Sequence, residues 1–455
     1  MKKKHILILG AGISGLSAAW YLSKQHPDSS ITILEKEDRA GGWLESINKQ
    51  GFLFEKGPRI FKASKSLALL SLIQDLGLSS KIITSQAADR YILSQGEMRR
   101  LPQGLFSFLT SSYTRGMVLD LLAEPFKKKG PGVDESIESF ITRRFGERVL
   151  NKLFNPLVQG IYAAEPSELS MQACFGIMKQ LEQEHGSVVL GMIKHLRKKK
   201  SISNPIADPD KLFSLDGGVE VLIDALLSQI PCSIEYGQDI QNIRLSDDRM
   251  IVTTKNKQWD ADAVFCALPP SCAAEALKAA APDAASILSS IPFSPITSIL
   301  VGYDEDVLPY NGFGYLVSSK EGSPILGTVF DSKTFPDATS NKIHTKMTVM
   351  IRGVGYTKEQ IEQLLDKAIN KPLKIACSPN FLHVMPFKEA IPKYLVGHYD
   401  KVNLAMQKLE DQLPHCCLLG NYIQGVSVSD CIKTSYDAVR NWTGLQDCLQ
   451  NFVAK

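Results

Sequence analysis

Three glycines, Gly10, Gly12 and Gly15, follow the apolar run HILIL at 5–9 with the spacing G-x-G-x-x-G, and Glu35 stands twenty positions beyond the last of them. These residue types in this order suit the binding of a dinucleotide. The first glycine makes a tight turn, the second lets backbone approach a pyrophosphate, and the third lets helix and strand pack closely. The helix that follows offers unpaired N–H groups and the positive end of its dipole to the phosphates. Gly10, Ala11, Gly12, Ile13, Ser14 and Gly15 are therefore the candidate phosphate loop. Glu35, with Lys36 beside it, is the candidate for the ribose of the adenosine half.

Other chemistry is sparse. The eight histidines include no H-E-x-x-H and the nine cysteines no C-x-x-C, so no metal site is expected. No catalytic triad or carboxylate pair stands out. An odd cysteine count without zinc spacing suggests reduced thiols and a cytoplasmic setting. The chain has 455 residues, 44% hydrophobic and 22% charged, with a net charge of +3. That is ordinary globular composition and excludes a disordered chain, a collagen-like fibre or a small disulfide scaffold. So balanced a charge gives no support to a nucleic-acid partner.

Mean hydropathy is −0.05, which raises the question of a membrane. A spanning helix needs about 20 mostly apolar residues. The longest charge-free stretch, Ala284–Tyr303, carries several serines, Pro292 and Pro295, and reads as loop and strand. Lys2–Lys4 before an apolar run mimic a secretory signal, but a signal explains neither the glycine spacing nor Glu35.

The elements that must position these groups surround them. Residues 5–9 read as a buried parallel strand, 14–24 as a helix, and 31–34 as a second strand ending at Glu35. Gly41-Gly42-Trp43 and then FLFEKGPR at 52–59 follow, so backbone can approach a cofactor a second time. Residues 64–76 are helical and 90–101 form a hairpin. Residues 102–200 are mostly helical, with an apolar block from Leu105 to Leu122 and basic runs at 127–129 and 194–200. The block reads as a bundle with solvated ends, or as a peripheral membrane surface or entrance for an apolar substrate. Gly217-Gly218 open a helix to 229, and strands at 232–236, 240–244, 250–254 and 263–268 return to the dinucleotide fold. Strands at 296–302, 313–317, 325–330, 345–352 and 381–387 imply a second sheet. After a helix at 400–412, the strand 416–419, a glycine turn and a helix through Trp442 repeat the N-terminal geometry.

This layout resembles the FAD-dependent amine oxidase superfamily, and several blocks resemble its porphyrinogen oxidase branch. They are AGGW at 40–43, FEKGPR at 54–59, Arg90 in ADRYI, NPLVQGIYAAEPSELSM at 155–171, EAIPKYLVGH at 389–398 and GNYIQGVSVSDCI at 420–432. The match spans the chain, and the last three blocks are the most particular to the branch. Ala164, where the family often has Gly, would narrow or reshape the substrate pocket. Thr434-Ser435, where it often has Ser-Gly, touches the helix beneath the flavin.

The resemblance implies an α/β fold. A discontinuous Rossmann-like FAD domain would comprise 1–83, 201–290 and 400–455, and a mixed-sheet substrate domain 84–97 and 291–399. A helical domain at 98–200 would contact membrane or form the substrate entrance. FAD rather than NAD is implied because the second glycine cluster is shared with these flavoproteins. The implied cofactor set adds Gly42, Trp43, Gly57, Pro58, Arg59, Ile60, Ile240 on the central strand after Gly237, Val426, Ser427 and Val428. The implied activity is oxidation of protoporphyrinogen IX to protoporphyrin IX by successive hydride transfers to flavin N5, with dioxygen as reoxidant giving hydrogen peroxide. Coproporphyrinogen III oxidation and an amine-oxidase or carotenoid-desaturase chemistry are the alternatives. Arg90 would clamp a propionate, and Leu316 and Phe335 would sandwich the ring. Gly160 would admit the macrocycle to backbone or simply terminate a helix. Arg99, Arg100 and Lys388 are further cations of unassigned role. Peripheral contact with the inner membrane face, a homodimer and a transient ferrochelatase partner stay open.

Overall fold

A computed structural model describes residues 3–130, 132–198, 206–336 and 344–442. The strand His5–Leu9, apolar at four of its five positions, is buried from Ile6 onward and pairs in parallel with Ser30–Leu34 on one side and Ala263–Cys266 on the other. Continuous apolar residues suit a strand covered on both faces. Ser233–Glu235 and Cys416–Leu418 complete, among the described residues, a five-stranded parallel sheet assembled from both ends and the middle of the chain. The helices Ile13–Gln25 and Val428–Asn441 pack together on one face. There the Ser435 hydroxyl donates to the Ser14 carbonyl at 2.8 Å, so the departure at 434–435 ties the C-terminal helix to the glycine loop.

Three expectations are corrected. Ile240–Ser246, Arg249–Thr254 and Gln258–Ala261 form a separate antiparallel sheet, so Ile240 is not on a central strand. The alternating burial of Arg249–Thr254 is that of a sheet with one wet face. Pro282–Ser289 is a helix rather than a loop. Pro282 sits in its first turn, where a missing N–H costs nothing. Cys417 is disulfide-bonded, whereas seven other cysteines are free.

The described residues also form a seven-stranded sheet. Its order is Phe381–Pro392, Phe293–Tyr303, Thr345–Arg352, Ile325–Val329, Gly314–Val317, Tyr91–Ser94 and Glu97–Arg100. The expected hairpin supplies its outer edge. Tyr91, Ile299, Tyr315, Val349 and Ile351 lie in the core on one face. The helix Asn155–Tyr162 meets the other.

Helices dominate residues 105–198, around a core that includes Met117, Phe140, Ile141, Val158 and Leu169. Ala164 is buried in this core. The apolar block only partly joins it: Phe106, Leu119, Leu122 and Phe126 are 81%, 74%, 65% and 90% exposed. Among the described residues no helix is long and apolar enough to cross a membrane. Lys199 and Lys200 of the second basic run lie outside the described residues.

Candidate cofactor and substrate site

Gly10 turns at φ +94°, and its N–H donates to the Leu34 carbonyl at 2.8 Å. A Cβ on Gly15 would lie 2.0 Å from the Gly10 carbonyl oxygen, so helix and strand meet as closely as glycine permits. Gly12 faces the other way: nothing lies within 4 Å of its missing Cβ. It is the N-cap of Ile13–Gln25, a helix with no side-chain cap and no acidic residue in its first turn. Gly42 forms the facing wall, its own Cβ position 3.2 Å from Gly12 Cα, and Gly41 N–H donates to Ala11 C=O at 2.8 Å. An uncapped helix N-terminus under a glycine-lined opening fits a pyrophosphate.

Glu35 accepts from the Ala11 N–H at 2.7 Å and the Glu37 N–H at 2.9 Å, which fixes its carboxylate and leaves lone pairs for ribose hydroxyls. Lys36 is exposed and pairs with Asp239 at 3.2 Å. Gln238 N–H donates to the Glu35 carbonyl, so the turn before Ile240 still borders the ribose end. Arg39 pins the second glycine loop by donating to the Ala40 and Gly42 carbonyls and pairing with Glu45.

The Gly57 turn closes on this loop, a Cβ there lying 2.2 Å from the Trp43 carbonyl oxygen. Trp43 is exposed and edge-on to Phe387 at 5.0 Å. Pro58 is exposed and Ile60 half-buried. Arg59 pairs through Nε with Asp331 at 2.7 Å, and its Nη2 is buried without a partner among the described residues. It lines a cavity of about 70 Å³ with Glu55, Gly217, Gly218, Phe335 and Lys346. Burial pushes the Glu55 carboxyl up to about 7, against hydrogen bonds from Ser46 and Val219. Composition offered no sign of Glu55, because only folding buries it.

The C-terminal loop lies beside the cradle. Ser427 N-caps Val428–Asn441 in a capping box with Asp430. Val428 is buried in the core beneath the parallel sheet, so its backbone alone can meet a cofactor, whereas Val426 packs against the helical region.

Residues directly opposite in a sheet share a face. The register therefore aligns Met385, Ser298, Met350, Gly327, Leu316, Ile92 and Arg99 across all seven strands. Met385 ends this row against Phe52 and Phe54, near the cofactor loops. Gly160 stands over Leu316: a Cβ would come 2.4 Å from Leu316 Cδ2. It lies inside its helix, and Ala163, in the left-handed conformation, ends that helix, so Gly160 is no terminator. The room that Gly160 frees is taken by Leu316. Asn155 anchors the helix to Ser318 and Ser319, and Gln159 and Glu165 bind Arg352. Of the two residues expected to flank the ring, Phe335 lines the Arg59 cavity and Leu316 packs under Gly160. The sequence leaves Arg99 a cation of unassigned role; its place on this face depends on strand register.

A glycine cradle for a dinucleotide beside a largely apolar sheet face defines a flavin-dependent oxidoreductase. The chain matches the flavin containing amine oxidoreductase family over residues 13–441. It is 30% identical to protoporphyrinogen oxidase of Bos taurus, across 97% of this chain and 99% of that protein. It is 27% identical to the chloroplastic protoporphyrinogen oxidase of Nicotiana tabacum, across 96% and 85%. A crystal structure from Exiguobacterium sp., provisionally named protoporphyrinogen oxidase, superimposes with a TM-score of 0.83 at 24% identity, covering 97% of this chain and 98% of that one. The chain belongs to the flavin-containing amine oxidoreductase family, and it is an FAD-dependent oxidoreductase.

Proposed function

We propose that this chain oxidises protoporphyrinogen IX to protoporphyrin IX, with dioxygen as the final acceptor. Bound FAD supplies the hydride acceptor for the successive two-electron steps. The observation that carries the substrate assignment is the sheet row, which runs from Met385 beside the cofactor loops past Met350, which is half-buried, and Gly327 to Leu316 under Gly160, with a cation at its outer end. A flat apolar macrocycle needs such a face, and its propionates need cations at one edge.

Arg90 is exposed and has no side-chain partner among the described residues. Strand alternation puts it on the Ile92 side, and antiparallel pairing makes Arg99 its diagonal neighbour, roughly 7–8 Å away. Among the described residues Arg99 pairs with the exposed Glu97, at 3.0 Å. Such a pair is weak and exchangeable for a substrate carboxylate. Among the described residues Arg100 pairs with Asp89, Lys346 with the Leu53 carbonyl, and Arg352 with Glu165, whereas Lys388 is exposed on the far edge strand Phe381–Pro392. Two open arginines suit a two-propionate edge better than four scattered carboxylates.

Arg90→Ala and Arg99→Ala should each raise KM for protoporphyrinogen about tenfold or more, as loss of a charge-assisted hydrogen bond does, with kcat little changed. Steady-state kinetics check this. An unchanged KM in both variants, or faster turnover of coproporphyrinogen III by the parent chain, would sink the assignment.

We also infer that the helical region docks on an anionic lipid surface. Exposed Phe126 adjoins Lys127–Lys129 along the chain, and Phe106, Leu119 and Leu122 are exposed in the same helical region, a combination of apolar and basic groups that interfacial segments use. Co-sedimentation with phosphatidylserine vesicles is expected for the parent chain and should be lost in a Phe106→Ser, Phe126→Ser double variant. A parent chain that stays in the supernatant at low salt would refute docking.

A further inference from the structure

We propose that Tyr394 and His398 are positioning residues that hold the loop 420–427 in the shape that receives the flavin. The proposal rests on the assignment of this loop, ahead of the C-terminal helix, to the FAD site. Both side chains are almost fully buried, 1% and 3% exposed. Their rings stack at 3.9 Å with an interplanar angle of 13°.

The Tyr394 hydroxyl makes two hydrogen bonds of opposite sense to the loop. It donates to the Asn421 carbonyl at 2.6 Å and accepts from the Gly425 N–H at 2.8 Å. One oxygen thus fixes the distance between two points four residues apart. His398 Nε2 donates to the carbonyl of Tyr422, between them, at 2.8 Å. Burial pushes the imidazole down to about 4, which keeps it neutral at physiological pH, and the bond to a carbonyl assigns its proton to Nε2.

The loop needs outside support. Gly420 and Gly425 both stand at φ +141°, a region that only glycine enters freely. A Cβ on Gly425 would lie 2.4 Å from the Asp430 carboxyl group. The loop's own backbone closure, Ile423 N–H to Gly420 C=O, is long at 3.3 Å. Two glycines and one weak internal bond do not specify a conformation, and the two side chains make good the deficit.

The same strap reaches the helical region. Ser170 N–H donates to the Tyr394 carbonyl at 2.7 Å, Leu169 and Leu395 form an isolated bridge, and Gly397 N–H donates to Asp134 at 3.0 Å. Tyr394 therefore sits between the helical region and the loop, and its loss should change the cofactor's surroundings without touching the glycine cradle.

The test uses the full chain, stripped of flavin and titrated with FAD, followed by the midpoint potential of the reloaded protein. Tyr394→Phe keeps the ring and removes both hydrogen bonds. Its FAD Kd should rise about tenfold, the effect of losing a buried hydroxyl's bonds, with a shifted potential and flavin spectrum. A merely structural tyrosine would lower the melting temperature and leave Kd and potential at parent values, and that result overturns the proposal. Should Tyr394→Phe fail to fold, His398 decides. His398→Gln, whose amide still donates to Tyr422, should bind FAD within about twofold of the parent, and His398→Leu about tenfold more weakly. Equal parent-like affinity in both overturns it. A parent chain that takes up no FAD would instead refute the cofactor assignment itself. No porphyrinogen is present, so the result is independent of the substrate.

Discussion

Gly15→Ala should purify colourless. The new Cβ would lie 2.0 Å from the Gly10 carbonyl oxygen and 3.2 Å from Ile8 Cγ2. Neither can yield, because Gly10 is held by its bond to Leu34 and Ile8 is at the centre of the parallel sheet. The helix must back away from the strand, taking its N–H groups with it. Overpacking of this kind costs about 3 kcal/mol, and a misplacement of that size in the cradle is worth about 100-fold in FAD affinity. Gly12→Ala is the informative partner. Its φ of −72° suits alanine and its Cβ meets no protein atom, so the apoprotein should melt normally. Its methyl group would enter the space assigned to the pyrophosphate, so FAD should still bind poorly. Flavin absorbance per chain and apoprotein melting separate the two. A Gly12→Ala chain that purifies yellow at full occupancy would contradict the cradle.

Glu124→Ala should cost about 3–5 kcal/mol, the usual loss when one partner of a buried ion pair is removed. Glu124 and Arg144 have fully buried side chains and are bonded through Arg144 Nε at 2.7 Å and Nη2. The carboxylate also accepts from Ser187 Oγ, Val188 N–H at 2.9 Å and Val189 N–H at 3.2 Å, capping the helix Val188–Lys198. Burial alone would push this carboxyl up, but the hydrogen bonds from Ser187, Val188 and Arg144 outweigh it and hold the group below its ordinary 4.5. Its contribution is thus complete above about pH 4.5 and is lost as pH falls through the depressed native value. The alanine variant should lose that acid dependence. Urea unfolding gives the magnitude. Hydrogen exchange should show the loss confined to the helical region, with the parallel sheet still protected. A change below about 1 kcal/mol would mean the pair is not buried as described.

The parallel sheet was legible because its residues announce themselves: a strand apolar at four of its five positions, glycines at fixed spacing and an acid at the next strand's end. The C-terminal return was legible for the same reason. Pro282–Ser289 was not, because serines with Pro292 and Pro295 make 284–303 read as loop and strand, whereas Pro282, just ahead of that stretch, opens a helix. The substrate face was the least legible part. Leu316, Gly327 and Met350 come from three strands and share a face only through register, which sits in no single segment. Arg90 was found through resemblance; Arg99 needed the hairpin pairing. Arg59 was expected at the flavin or pocket edge, and its buried partner Asp331 lies 272 residues away. Tyr394 and His398 lay in plain view within EAIPKYLVGH, but two residues with no motif chemistry gain a role only when folding sets them against the 420–427 loop.

The most direct measurement is anaerobic mixing of the FAD-loaded chain with protoporphyrinogen IX, followed by absorbance. The expected result is bleaching of the oxidised-flavin band as the porphyrin band rises, with the yellow colour restored on admitting dioxygen. A flavin that stays oxidised in excess protoporphyrinogen, yet bleaches with a simple amine, would contradict the proposed function and assign the site to amine oxidation.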